Sequence, residues 1–119
     1  MKLRLFLTAI ISSLLTLLAV YGLPGAPLPA TVKLENTKVK VIEMIYPPGV
    51  PRERYVRPHD QVIVFLDDCR YERTYPKTGE KTVRERKSGD VIWHDKGEDA
   101  PQLVNQGSKP YRTIVVELK

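Results

Sequence analysis

Apolar and polar positions follow two different rhythms along the chain. Over residues 5–20 apolar side chains run on with only Thr8, Ser12, Ser13 and Thr16 between them. After residue 30 no 3.6-residue periodicity is sustained, and short runs rich in Val, Ile, Tyr and Thr alternate with turn residues. "VKVIEMIY" (39–46) predicts a strand stopped by Pro47-Pro48-Gly49, and "QVIVFL" (61–66) a buried strand stopped by Asp67-Asp68. "CRYERTY" (69–75) and "KTVRERK" (81–87) flank Pro76-Lys77-Thr78-Gly79, which predicts a β-hairpin. "VIWH" follows the turn Ser88-Gly89-Asp90, "PQLVN" precedes Gln106-Gly107-Ser108, and "YRTIVVELK" predicts a last strand. Ten prolines and seven glycines punctuate the chain. The expected class is all-β, a sandwich or small barrel.

The first rhythm belongs to something else. Lys2 and Arg4 precede an apolar run of about 16 residues, short of the roughly 20 that a membrane-spanning helix needs. A basic start followed by such a core is the pattern of a secretory signal peptide. It predicts a signal helix over residues 1–22, cleaved between 22 and 30, and a secreted or periplasmic protein. An uncleaved N-terminal membrane anchor is the alternative. The lack of a cysteine nearby argues against a lipoprotein anchor. Residues 23–31, rich in Pro and Gly, read as a linker, and residues 32–119 as one domain with a modest core.

Charge and cysteine content change the picture little. The formal charge is +5, two units of which are Lys2 and Arg4. In the remainder, Lys and Arg are interleaved with Asp and Glu, so a nucleic-acid partner is not expected. The hairpin charges Arg73, Glu80, Arg84, Glu85 and Arg86 read as a solvated face with cross-strand pairs. A single cysteine, Cys69, excludes an intrachain disulfide. It reads as a small half-buried strand residue, with an intermolecular bridge or redox role as the alternatives.

Two spaced frames carry a resemblance. Counting from Gly49 in the pattern G-x5-H-x-H-x3-E-x6-G places Tyr55 and Arg57 at the histidines, Gln61 at the glutamate and Asp68 at the last glycine. In G-x5-P-x-G-x2-H-x3-N, Gly89 opens, Asp95 stands at the proline, Gly97 at the glycine and Ala100 at the histidine. Asn105 falls one residue late. Over about residues 33–119 the chain resembles a single-domain cupin of the RmlC-like type. The resemblance implies a double-stranded β-helix, or jelly-roll barrel, with a site inside it.

The ligands that the resemblance implies for a metal are all replaced. A guanidinium stays protonated and has no lone pair to donate. At roughly 5 Å, with an effective dielectric of about 20, its charge repels a divalent ion by ~7 kcal/mol. No metal and no other cofactor is therefore expected. His59 and His94 offer a displaced two-histidine site as the alternative, with Asp95 and Asp99 as further donors.

A buried Arg57 needs a partner. Either an internal carboxylate (Glu43, Glu72 or Asp90) pairs with it, or an anionic ligand does. In the second case Tyr55 and Gln61 would add hydrogen bonds and Trp93 an apolar wall.

The sequence thus points to an exported, metal-free, non-catalytic cupin-like module binding a small anionic or sugar-like ligand at Tyr55, Arg57, Gln61 and Trp93, or serving a structural role. A metal-dependent cupin enzyme of dioxygenase or isomerase type, using displaced ligands, is the alternative. A homodimer joined by strand exchange or sheet pairing is a third reading.

Overall fold

A computed structural model of the chain describes residues 28–119. The expected signal helix, and the expected linker up to residue 27, lie outside the described residues. Among the described residues every regular element is a strand. The strands are β1 (Ala30–Glu35), β2 (Val39–Tyr46), β3 (Pro51–Arg52), β4 (Tyr55–Val56), β5 (Asp60–Phe65) and β6 (Cys69–Thr74). They continue with β7 (Lys81–Arg86), β8 (Val91–His94), β9 (Asp99–Ala100), β10 (Gln102–Asn105) and β11 (Tyr111–Leu118).

Among the described residues the named strands all pair antiparallel, in a five-stranded sheet β1-β2-β11-β5-β8, a four-stranded sheet β3-β10-β6-β7 and the small pair β4-β9, with one isolated parallel bridge between Pro48 and Asn105. The seven long runs read from the alternation correspond to β2, β5, β6, β7, β8, β10 and β11. β1 begins at Ala30, so Ala30 and Thr31 belong to the folded domain and not to the linker expected over 23–31. Its two outward-leaning apolar residues, Val32 and Leu34, are exposed, which explains why its pattern is weak.

Period-two alternation sorts side chains into an inner and an outer layer. On β5, Gln61, Ile63 and Phe65 are buried while their neighbours are partly exposed. On β11 the buried positions are Tyr111, Thr113 and Val115. The two large sheets face each other across an aromatic core, in which Tyr46 and Tyr111 stack at 4.7 Å and Phe65 lies parallel to Tyr71 at 6.1 Å. Burying an aromatic side chain of this size contributes about 2–3 kcal/mol.

Two turns fix the ends of the barrel. Gly49 adopts φ 72°, a left-handed conformation that side chains with a Cβ disfavour, and donates to the Asn105 carbonyl at 3.0 Å. Asn105 is buried on β10. Its Nδ2 donates to the carbonyls of Tyr46 and Lys109, each at 2.8 Å, and its Oδ1 accepts from Gly107 N at 2.8 Å. The second frame's opening residue, Gly89, has φ 93° and donates to the Phe65 carbonyl at 2.7 Å. The expected hairpin joins β6 to β7, with Cys69 opposite Arg86 and Thr74 opposite Lys81.

Candidate functional site

Short-strand pairing brings the four frame positions together. Tyr55 on β4 lies opposite Ala100 on β9, which is fully buried. Arg57, one residue beyond β4, is held at its backbone by the β8–β9 turn. Its N–H donates to the Glu98 carbonyl at 3.0 Å, and its carbonyl accepts from Gly97 N at 2.8 Å. That pinning carries the alternation past β4. Tyr55 is half-buried, Val56 is exposed, and Arg57 is buried with 4% of its surface accessible.

Inside, Arg57 Nη1 donates to Gln61 Oε1 at 2.6 Å and to Tyr55 Oη at 3.3 Å. The Tyr55 hydroxyl and the Gln61 amide lie 3.4 Å apart, and the Arg57 guanidinium stands 5.6 Å from the Tyr55 ring centroid. These three residues form the cluster expected from sequence.

The expected carboxylate partners of Arg57 are elsewhere. Glu43 pairs with Lys33, Glu72 with Lys81, and Asp90 accepts from Lys87 N in the turn before β8. The carboxylate that approaches is Glu98, at 3.9 Å from Arg57 Nε and beyond hydrogen-bonding reach. Arg57 Nε itself is buried and makes no hydrogen bond within the protein. Burial, reinforced by Arg52, pulls the guanidinium below its ordinary pKa, while Tyr55 and Glu98 oppose the shift.

Trp93 is corrected. It points outward from β8, is 52% exposed, and its indole N–H donates to Asp95 Oδ1 at 2.8 Å. The residue that turns inward on β8 is His94, directly opposite Gln61. Its Nδ1 lies 2.8 Å from Glu98 Oε2, so the nitrogen carries the proton and donates to the carboxylate. Burial and then Arg57 hold its pKa below the ordinary imidazole value, with Glu98 pulling the other way. His59 lies in the bend before β5. Among the described residues no three His, Cys, Asp or Glu side chains gather, so His59 and His94 are not joined by further ligands.

The frame positions do not fit a divalent cation. Arg57 and Ala100 have no electron pair to give, and the Gln61 oxygen is already engaged by a guanidinium.

The sequence reading missed the other arginines. Arg73 and Arg86 were expected on a solvated face, but both line a cavity of about 50 Å³ in the barrel, with Arg52, Arg57 and His94 around it and Tyr71 in its wall. Alternation carried the signal. On β6, Tyr71 belongs to the core, so Arg73 two residues on must face inward. Register then places Thr82, Arg84 and Arg86 on the same face of β7. Tyr55 and Gln61 face a separate recess of about 380 Å³, lined by Ile42, Met44 and Val115 among others, and Arg52 borders both spaces.

No family model matches the chain, and no curated protein matches it in sequence. Solved structures do match in fold. A cupin domain from Bordetella pertussis superposes with a TM-score of 0.71 at 20% identity, covering 82% of this chain and 99% of its own. A protein with a double-stranded β-helix domain from Klebsiella pneumoniae gives 0.61 at 21% identity, covering 85% of each chain. The polyketide cyclase RemF from Streptomyces resistomycificus gives 0.63 at 16% identity, covering 83% of this chain and 70% of that one. Proteins sharing this fold thus include an enzyme and a protein described as uncharacterised. The antiparallel sheets and these superpositions agree that the chain has the double-stranded β-helix fold of cupin domains.

Proposed function

We propose that the protein is an exported, non-catalytic cupin-fold module that works without a metal and binds a small anionic ligand inside the barrel. The observation that carries this reading is Arg57. It is buried at a position where the cupin frame has a histidine, and no carboxylate hydrogen-bonds to it. A buried charge without a full partner is costly, and an anion entering the barrel supplies that partner.

Tyr55 and Gln61 hold the guanidinium from one side and leave Nε free to donate. The neutral sugar-like ligand also considered has less support, because an uncharged group offsets less of the cost of burying Arg57. Export rests on the basic start and apolar run of residues 1–22, and is tested by the mass of the protein recovered outside the cytoplasm.

Two measurements test the binding reading. Elemental analysis of protein purified without a tag, before and after chelation, is expected to find no stoichiometric transition metal. A full equivalent of iron, manganese, nickel or zinc would overturn the reading in favour of a metal-dependent cupin enzyme. A thermal-shift screen of small anions is expected to find compounds that stabilise the wild type but not Arg57→Ala. Binding that persists unchanged in Arg57→Ala would place the ligand elsewhere.

A further inference from the structure

The Tyr55–Arg57–Gln61 cluster accounts for one guanidinium, yet four face the same small cavity. Arg52 on β3, Arg73 on β6 and Arg86 on β7 join Arg57 there, with no aspartate or glutamate in the lining. Arg52 and Arg73 are the cross-strand neighbours of Leu103 on its two sides, so their side chains rise from the same face about 10 Å apart at the backbone. Arg86 closes the cavity from the edge strand, donating Nε to Tyr71 Oη at 3.3 Å, with its guanidinium 5.7 Å from the Phe65 ring centroid. Arg52 donates to the Pro101 carbonyl and stands 5.4 Å from the Tyr55 ring centroid. Neutral groups therefore position these cations without cancelling their charge.

The contrast with the rest of the molecule is positional. Three exposed arginines have carboxylate partners, Arg54 with Asp99, Arg70 with Glu85 and Arg112 with Asp67, while exposed Arg84 has none among the described residues. Among the described residues Arg52, Arg73 and Arg86 form no ion pair. Three buried polar atoms without a hydrogen-bond partner in the protein also belong to residues of this lining. They are Arg52 Nε, Arg57 Nε and Thr113 Oγ1, and Thr113 is only 2% exposed. Like charges gathered this closely repel one another, and a bound counter-charge relieves them.

We propose that this cavity takes a compact oxyanion carrying two negative charges, the chemistry shared by a phosphoryl group, a sulfate and a short dicarboxylate. The proposal rests on the reading that the barrel binds an anion, and it names that anion's class. Three features select it. A space of about 50 Å³ admits a group of a few heavy atoms and no large body. Three guanidiniums arrive from the β3-β10-β6-β7 sheet and the fourth, that of Arg57, from the segment after β4, so donors reach the space from two sides. Planar guanidinium forks bind paired oxygens, and a second charge on the anion doubles the Coulomb attraction to each of them.

The test is calorimetric titration with sulfate, phosphate at about pH 8 (where it is dianionic), malonate, acetate and formate, all at matched ionic strength. At least one dianion is expected to bind the wild type about tenfold or more tighter than acetate and formate. The double variant Arg73→Gln/Arg86→Gln is expected to weaken that dianion by about tenfold or more, while acetate changes by less than about threefold. Preference for sulfate and phosphate over malonate would assign a tetrahedral group, and the reverse a short dicarboxylate.

Acetate binding as tightly as every dianion, or a dianion affinity unchanged in the double variant, would overturn the proposal. If Arg57→Ala still abolished binding in that case, the anion-binding reading would stand. Absence of any anion binding to the wild type would remove both. The comparison of mono- and dianions uses the unaltered protein, so it remains decisive if the double variant fails to fold. Arg70→Gln, on the outer face, controls for loss of charge alone.

Discussion

At the scale of single residues, burial decides what each polar group does. Cys69 sits half-buried on the inner face of β6, packed against the aromatic core and opposite Arg86. Burial pushes its thiol up to about 11 from an ordinary value of 9.0, outweighing the pull of Arg86. The thiolate is the reactive form, so alkylation at pH 8 is expected to run about a hundredfold slower than for a small-molecule thiol. A time course with iodoacetamide checks this, and a rate near that of the free thiol would show that Cys69 is more open than its packing implies.

Asn105 gives the complementary case of a polar side chain fully used. It donates to two carbonyls and accepts from Gly107 N, tying β10 to the ends of β2 and the β10–β11 turn. Asn105→Ala leaves these backbone groups unpaired and is expected to cost about 2–4 kcal/mol in urea unfolding. A loss below about 1 kcal/mol would mean that water replaces the side chain.

Among elements, β8 carries the pH response. Its inward His94 is packed beside Gln61 and donates to Glu98, while Arg57 and Arg73 disfavour its protonated form. The folded-state pKa lies below the ordinary 6.5, so the unfolded chain binds the proton more readily. Stability from this group is complete above pH 6.5 and falls as pH drops below it toward the folded value. Asp67 acts in a separate, more acidic window, because its hydrogen bonds from Arg112 hold its carboxyl below the ordinary 3.8. His94→Gln is expected to flatten the melting-temperature profile just below pH 6.5 and leave the acid limb in place. An unchanged slope in the variant would assign that limb to another group.

Elements also explain what was legible in the sequence. Strands with a buried face announce themselves by alternation, and all seven long runs were readable on that ground. β1 was obscured because Val32 and Leu34 face water, and β3, β4 and β9 are two-residue pairings set by tertiary contact. The Tyr55–Arg57–Gln61 cluster was readable because a fixed frame places those residues on one face. Trp93 was misplaced because size was read as burial, whereas its parity with outward-facing Val91 puts it outside. Arg73 and Arg86 were missed because hairpin charges usually face water. Register against Tyr71 and Cys69 overrides that preference.

Across the whole molecule, charge is sorted by layer. Ion pairs such as Arg54–Asp99 and Arg112–Asp67 decorate the outside, while the barrel interior concentrates guanidiniums over an aromatic floor. Such an interior sacrifices stability in the absence of a ligand, as replacing buried charge with apolar volume often stabilises a fold by about 1–4 kcal/mol. Urea unfolding of the wild type and Arg57→Met, each with and without a saturating anion, tests this most directly. Arg57→Met is expected to be as stable as the wild type or more stable without the anion, and only the wild type is expected to gain stability when the anion is added. A variant destabilised by about 3 kcal/mol or more, with no anion response in the wild type, would rule out a ligand-binding role for Arg57 and make it a structural residue held by Gln61 and Tyr55.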